Sequence, residues 1–269
     1  MASIVGMAAN FRRLDQFARA DTAIHRLDAR AKVVATLAFI VVVASFDRYT
    51  VAALLPFFIF PIVLAALGKL PTAYVAGNVA VAIPFALAIG LFNPLFDQQV
   101  LFKLGAIPIS AGWISCASIV VRAVLTLSAA LILIGVTGFP AVCEALERLG
   151  MPRVLAMQMQ FLYRYLFVLI EDARRSVRAL ELRSCGRSPH LPTVASLIGF
   201  LLLRTWQRAD RIHMAMLARA YRGDFHSRKV GNFGSGEVAF VAGWLLLFGL
   251  LRAYDASQLL GVLVGRVLP

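Results

Sequence analysis

Long uncharged apolar runs are the feature that most limits what this chain can fold into. Several of them reach the roughly 20 residues that an α-helix needs to cross a bilayer. Over the 269 residues, 60% are hydrophobic and 15% are charged, whereas a soluble domain is roughly half apolar and a quarter charged. The sequence therefore predicts an all-α polytopic membrane protein. The runs cover residues 33–46, 51–68, 70–96, 104–121, 123–143 and 238–251.

The runs predict about five transmembrane helices. The first would cross outward and the second back inward, the third outward and the fourth inward, with a short final crossing near the C-terminus. Between the third and fourth runs, Pro94, Pro108 and Gly112 interrupt the chain, which indicates an outer loop with an interfacial piece. The predicted crossings are residues 31–46, 51–68, 72–92, 115–137 and 238–251.

Basic residues set the predicted orientation. The net charge is +13, and the basic residues concentrate before the first run and between Arg148 and Lys229. By the positive-inside rule, the N-terminus and this second basic region lie in the cytoplasm. The protein is thus expected in the cytoplasmic (inner) membrane as a multi-pass chain. We predict a cytoplasmic N-terminal segment over 1–30, a four-helix membrane domain over 31–137, a cytoplasmic domain with two arginine-bearing helices over 138–235, and a final transmembrane helix with a tail over 236–269. The opening stretch lacks a compact apolar core, so it is not expected to be a cleaved signal.

The scattered cysteines and histidines, and Arg122, give no sign of chemistry. Cys116, Cys143 and Cys185 are far apart in sequence and are interpreted as small apolar fillers. His25, His190, His213 and His226 are equally scattered, so no metal site is predicted. Arg122 closely follows an uncharged stretch and is interpreted as snorkelling or packing between helices, because an unpaired arginine at membrane depth is costly.

Two long helices are predicted in the basic region, after a short amphipathic helix opened by Pro140 and closed by Gly150 and Pro152. Neither 153–184 nor the stretch from 193 towards 221 contains proline or glycine apart from Gly199. At 100° per residue, each helix carries a polar stripe along one face. The stripes are Arg164, Glu171, Arg174, Arg175 and Arg178 on the first helix, and Arg204, Arg208, Arg211, Arg219 and Arg222 on the second.

The two helices end in similar sequences, "ALELRSCGR" (179–187) and "AMLARAYRG" (215–223). Each has an alanine four residues before an arginine, then a small residue, then a glycine. Arg183 and Arg219 would project from the helix ends into pockets lined with carboxylates and carbonyls, where bidentate hydrogen bonds give strength and direction. Two similar ends suit a partner with two equivalent pockets. Ser184, Ala218 and Ala220 would keep the ends slim, and Gly186 and Gly223 would let the chain turn away.

Three alternatives stay open on the residues alone. The arginines could bind anionic lipid headgroups. They could recognise nucleic acid or a phosphorylated ligand, although aromatic residues are not interleaved on the stripes and no nucleic-acid partner is expected. A polytopic enzyme acting on a phosphorylated lipid would need an acid or base from Glu171, Asp172, Glu181 or Asp210. Their spacing, however, is typical of ordinary i,i+3 and i,i+4 ion pairs.

Three segments resemble a known family. "HRLDARAKVVATLAFIVVVAS" (25–45), "FLYRYLFVLIEDARRSVRALELRS" (161–184) and "MAMLARAYRG" (214–223) are similar to the T component of energy-coupling factor transporters, in particular the cobalt-type CbiQ family. In that family, two short motifs of the form Ala-Arg-Gly or X-Arg-Ser/Gly end the cytoplasmic coupling helices and dock into a pair of ABC-type ATPase subunits. The first motif matches here as Leu182-Arg183-Ser184. The second departs, because Ala220 follows Arg219 where the family usually has glycine, so the place where that helix ends is left open.

The resemblance implies a non-catalytic coupling scaffold. ATP and Mg would be bound by the ATPase subunits, and this chain would bind no cofactor, metal included. It would transmit the ATPase movement to a separate substrate-binding membrane subunit, CbiM-like, which imports cobalt or nickel. Arg174, Arg175, Arg178, Arg208, Arg211 and Arg222 would support the docking arginines as a basic stripe. The chain contains no G-x-x-x-x-G-K-[ST] phosphate loop, which agrees with this division of labour.

Overall fold

The computed structural model describes residues 17–18, 20, 22–47, 50–96, 100–104, 107–184, 190–221 and 234–253. The chain divides into two compact units. One unit comprises residues 14–138 and 231–269, and we call it the bundle unit. The other comprises residues 1–13 and 139–230, and we call it the arginine-rich unit.

In its described residues, the bundle unit consists of helices and one short hairpin. Asp28 caps the helix that begins at Ala29. Its carboxylate accepts a hydrogen bond from the Arg30 backbone N–H at 2.9 Å, as an N-cap does. The unit's third helix contains a 3₁₀ turn, Leu55–Phe58, at Pro56. The described helices of this unit are α1 (Ala23–Arg26), α2 (Ala29–Ala44), α3 (Val51–Leu67), α4 (Thr72–Gly90), α5 (Asn93–Phe96), α6 (Ala111–Thr137) and α10 (Ser235–Ala253).

Four described helices are long and apolar enough to cross a membrane, namely α4, α6, α10 and Arg153–Arg183 of the arginine-rich unit. The predicted third, fourth and fifth crossings are therefore each one continuous helix. The predicted first crossing forms a helix of 16 residues, about 24 Å long at 1.5 Å per residue. Arg153–Arg183 qualifies on length and composition, although its position in the sequence predicts a cytoplasmic helix.

Aromatic side chains fill the core of the bundle unit. Phe39 of α2 stacks on Phe60 of α3 with ring centroids 4.5 Å apart. Phe248 of α10 packs against both, at 5.5 Å and 5.3 Å, and is 2% exposed. Because large aromatic side chains from α2, α3 and α10 interlock here, this cluster joins the final helix to the first two.

Small residues allow α4, α5 and α6 to approach closely. A Cβ on Gly90 would lie 2.7 Å from the Cys116 Sγ atom, and Asn93 donates a hydrogen bond to the Ser115 hydroxyl at 3.0 Å. Small residues and interhelical hydrogen bonds are the usual means by which membrane helices associate. Buried Cys116 therefore acts as the small filler that the sequence predicts.

Two strands, β1 (Val100–Leu104) and β2 (Ile107–Ser110), pair antiparallel between α5 and α6. The sequence analysis expected a loop with an interfacial piece in this region. The structure has a hairpin within this stretch, and its pairing satisfies backbone groups that a loop would leave to water.

Two arginines meet the C-terminal end of α2. Arg122 of α6 donates a hydrogen bond to the Asp47 carbonyl, which ties α6 to the segment that follows α2. Arg252 of α10 donates to the Ser45 carbonyl at 3.3 Å, and its guanidinium lies 4.7 Å from the centre of the Phe46 ring. Cations at this end also stabilise the helix dipole. The C-terminal ends of α2 and α10 therefore lie together, so the two helices run in the same direction.

The arginine-rich unit contains three described helices, α7 (Phe139–Arg148), α8 (Arg153–Arg183) and α9 (Leu191–Ala218). The short amphipathic helix predicted after the fourth crossing is α7, and the chain turns after it at Gly150, whose φ is +114°. Phe139 of α7 stacks on Tyr163 of α8 at 5.0 Å. Cys143 is buried, and this burial raises the pKa of its thiol, so it too behaves as an apolar filler.

Candidate docking site

The end of α8 presents Arg183 to solvent. Arg183 is the last helical residue and is exposed. Ser184 caps the helix, since its backbone N–H donates to the Leu180 carbonyl at 2.9 Å and its hydroxyl donates to the Glu181 carbonyl at 3.1 Å. These bonds engage carbonyl groups that a helix end leaves unpaired, so the arginine stands on an ordered terminus.

The end of α9 forms a Schellman motif around Arg219. Arg219 is the C-cap and is exposed. The Tyr221 N–H donates to the Met216 carbonyl at 3.1 Å, and the Ala220 N–H donates to the Leu217 carbonyl at 3.0 Å. This is the 6→1 and 5→2 pair of bonds that defines the motif. Ala220 has a φ of +56°, the left-handed conformation that usually requires glycine.

This geometry locates the helix end that the sequence left open. The predicted second helix continued towards Tyr221, but α9 ends at Ala218. Ala220, at the position where the family motif has glycine, adopts the left-handed turn. Gly186, Gly223 and Arg222, which were predicted to turn the chain and extend the stripe, lie outside the described residues.

The predicted basic stripe divides into two kinds of arginine. Glu171 pairs along α8 with Arg174 at 3.5 Å and with Arg175 at 3.2 Å, as the i,i+3 and i,i+4 spacing predicts. Arg178 and Arg211 are exposed. Arg208 differs, because its Nη1 atom lies 2.7 Å from the Asp172 Oδ2 atom on the other helix. Arg208 is therefore engaged between the helices rather than displayed with the stripe.

The contacts between α8 and α9 show that the two helices are antiparallel. Asp172 meets Arg208 in the middle of both helices. The Tyr221 hydroxyl, just beyond α9, donates to the sulfur of Met157 near the start of α8. Arg183 and Arg219 therefore lie at opposite ends of the pair. Each follows its helix's member of the ion pair by eleven residues, or about 16 Å along an α-helix.

A cavity of about 290 Å³ separates the helices between these two contacts. Its walls are mostly apolar. They are formed by Phe161, Tyr165 and Leu169 of α8 and by Thr205, Arg208, Ala209, Ile212, His213 and Met216 of α9. Apolar side chains of α8 and α9 thus face each other along this stretch, but a gap separates them and they do not interlock.

Sequence reasoning missed the cross-helix role of Asp172. It assigned this carboxylate to pairs within its own helix, as it did for Glu171. The available signal is position on the helical wheel, because Asp172 follows Leu169, Tyr165 and Phe161 at spacings of three, four and four. These residues share one face, and that face is turned towards α9.

His25 has a structural role. Its two ring nitrogens lie 2.7 Å from the Thr22 hydroxyl and 3.1 Å from the Phe17 carbonyl. Within the part of the chain that the structure describes, no three His, Cys, Asp or Glu side chains are grouped as a metal site.

Four described helices of membrane length and apolar composition define a multi-pass membrane protein. The chain matches the CbiQ family, described as a cobalt transport protein, over residues 20–230. It therefore belongs to this family, the transmembrane T components of energy-coupling factor transporters.

Individual relatives agree with this membership. The chain is 29% identical over 231 residues to the energy-coupling factor transporter transmembrane protein EcfT of Heliobacterium modesticaldum, covering 78% of this chain and 84% of that protein. It is 30% identical over 158 residues to the cobalt transport protein CbiQ of Salmonella typhimurium, covering 54% and 70%. It is 27% identical over 226 residues to EcfT of Streptococcus equi subsp. equi, covering 78% and 83%. These names describe transport proteins. The alternative of a polytopic enzyme acting on a phosphorylated lipid is therefore not favoured.

Proposed function

We propose that this chain is the coupling scaffold of an ATP-driven importer of a transition metal, cobalt in the first place and nickel as the alternative. Arg183 and Arg219 are its docking residues for a pair of ABC-type ATPase subunits. ATP and Mg bind to those subunits, and their movement reaches a separate, CbiM-like substrate-binding membrane subunit through α8 and α9. The metal is cargo selected by that subunit.

The observation that carries the proposal is the pair of ordered helix ends. Each ends in an exposed arginine flanked by a small residue, and each arginine follows its helix's member of the Asp172–Arg208 pair by eleven residues. A guanidinium in such a position can form bidentate bonds with carboxylates in a partner's groove. Two such ends at matched distances suit two equal subunits better than a lipid surface, which would bind arginines wherever they are exposed.

The proposed location is the cytoplasmic (inner) membrane, with the N-terminus and the arginine-rich unit in the cytoplasm, where ATP is available. Membrane lipids surround the bundle unit. Arg174, Arg175, Arg178 and Arg211 contribute a positive field beside the docking ends, while Arg208 contributes indirectly by pairing with Asp172.

Reversing both docking charges should abolish assembly with the ATPases. The change is Arg183→Glu together with Arg219→Glu, and the measurement is copurification of ATPase subunits with the tagged chain in mild detergent. Losing one such arginine from a desolvated interface costs about 2–5 kcal/mol, partly because the partner's carboxylate is left unpaired.

A matched control is available on the same two helices. Arg164 and Arg204 are exposed near the middle of α8 and α9, so Arg164→Glu with Arg204→Glu makes the same change in net charge away from the ends. This control should retain the ATPases. Equal copurification by the docking variant and the parent would contradict the assignment, whereas equal loss in both variants would point to a general charge effect.

A further inference from the structure

We propose that the Asp172–Arg208 ion pair fixes the spacing of α8 and α9, so that the Arg183 and Arg219 ends move together as the two arms of one lever. The proposal rests on the coupling function proposed above and adds two positioning residues to it. Both residues act through the helices that carry the docking arginines.

The ion pair is better protected from solvent than its neighbours. The Asp172 and Arg208 side chains are 13% and 27% exposed, with the nitrogen and oxygen 2.7 Å apart. The adjacent Glu171–Arg175 pair is 39% and 75% exposed at 3.2 Å. Exposed pairs contribute little because water and salt screen them. Removing one partner of a more buried pair leaves an uncompensated charge, so it disturbs the structure more strongly.

Among the described residues, few other contacts hold α8 and α9 at one spacing near this ion pair. On the Arg219 side of the pair, the cavity of about 290 Å³ keeps the facing side chains of the two helices apart. Side chains that border empty space lose the contacts that would hold them at one distance. The spacing in this region is therefore set by the contacts at the two ends of the cavity, namely Asp172 with Arg208 and Met157 with Tyr221.

The position of the pair along the helices supports a lever. Arg183 follows Asp172, and Arg219 follows Arg208, by eleven residues each. Eleven residues are close to three helical turns, so each docking arginine returns to nearly the same face as its member of the pair. In an antiparallel arrangement, the pair then lies midway between the two ends. If the helix pair turns about this point, a displacement of the Arg183 end is accompanied by a displacement of the Arg219 end.

The first test measures the spacing in the isolated full-length chain. Spin labels are attached through Ala179→Cys on α8 and Ala215→Cys on α9, both exposed, after the three native cysteines are replaced by alanine. Pulsed electron paramagnetic resonance then gives the distribution of label distances. Asp172→Asn should lose the narrow distance peak of the parent, because an amide keeps the shape of the side chain but not its charge.

The adjacent carboxylate provides the matched control. Glu171→Gln makes the same chemical change one residue away but removes a pair that lies within α8, so it should keep the narrow peak. Exchanging the charges, Asp172→Arg with Arg208→Asp, should restore the peak, which simple damage to folding would not allow. An unchanged distribution in Asp172→Asn would overturn the proposal.

The second test measures coupling in the assembled transporter as metal ions taken up per ATP hydrolysed. For Asp172→Asn, this ratio should fall roughly 2- to 30-fold, the range given by coupling changes of about 0.5–2 kcal/mol. Copurification of the ATPases should persist, because both docking ends are intact. A normal ratio despite a broadened distance distribution would refute the lever. A parent chain that binds no ATPase would instead contradict the proposed function, while the distance measurement would still decide whether the pair sets the spacing.

Discussion

At the scale of single residues, Ala220 stands out because it occupies a conformation that suits glycine. Its φ of +56° places its Cβ close to the following carbonyl oxygen, which costs an L-residue about 1–2 kcal/mol. The Schellman hydrogen bonds of Tyr221 and Ala220 hold the turn in place despite this cost. The end of α9 is thus determined by backbone hydrogen bonds, whereas the Ala220 side chain disfavours the left-handed turn that these bonds stabilise.

Ala220→Gly should therefore stabilise the protein by about 1 kcal/mol, which corresponds to a rise of roughly 2–4 °C in the midpoint of thermal unfolding. Ala218→Gly is the control, because Ala218 is the last residue of α9 and glycine within a helix is unfavourable. The two substitutions should move the midpoint in opposite directions in the same detergent. A fall for both would show that the left-handed turn is not under strain.

At the scale of elements, the packing of α5 against α6 depends on a glycine. A Cβ added at Gly112 would lie 2.4 Å from the Cα atom of Pro94 and 2.9 Å from the carbonyl oxygen of Asn93. These are backbone atoms, which cannot rotate away as the end of a side chain can. Gly77 of α4, by contrast, has no atom within 4 Å of the corresponding position.

Gly112→Ala should lower the free energy of unfolding by about 1–3 kcal/mol, since an added methyl group forces the backbone to shift. Gly77→Ala should leave stability unchanged or raise it by up to about 1 kcal/mol, because alanine favours the helix. Thermal unfolding of both variants and the parent tests the pair. Equal effects would mean that α5 and α6 are not in this close contact.

At the scale of the whole molecule, α2 and α10 run in the same direction. This shared direction determines on which side of the membrane α10 ends. Arg252 bonds to the Ser45 carbonyl, so the ends of both helices lie on one side of the bundle unit. If the N-terminus is cytoplasmic, as the basic residues predict, then α2 runs outward and so does α10. With that predicted orientation, this contact places the end of α10 on the outer side of the membrane.

Labelling with a membrane-impermeant maleimide tests this topology in intact cells. In a chain whose native cysteines are replaced by alanine, Ala253→Cys should react from outside. Ser235→Cys, at the other end of α10, should react after the membrane is permeabilised. The reverse pattern would place the arginine-rich unit outside the cell and contradict the cytoplasmic docking of the ATPases.

The sequence by itself determined the class of the protein, the approximate positions of the helices and the end of α8 at Arg183, whereas the end of α9 was located only by the structure. These properties depend on local information, namely the length of apolar runs, the spacing of residues along a helix, and capping patterns. Glu171 paired within α8 for the same reason, because its partners lie one turn away in the chain.

The tertiary structure decided what depends on distant residues. Asp172 pairs with Arg208 rather than along its own helix, a cavity separates the facing sides of α8 and α9, and α10 runs beside α2 in the same direction. Each of these results depends on how two helices are placed in space. The helical period tells which residues share a face, but it does not tell which helix that face will meet or how closely.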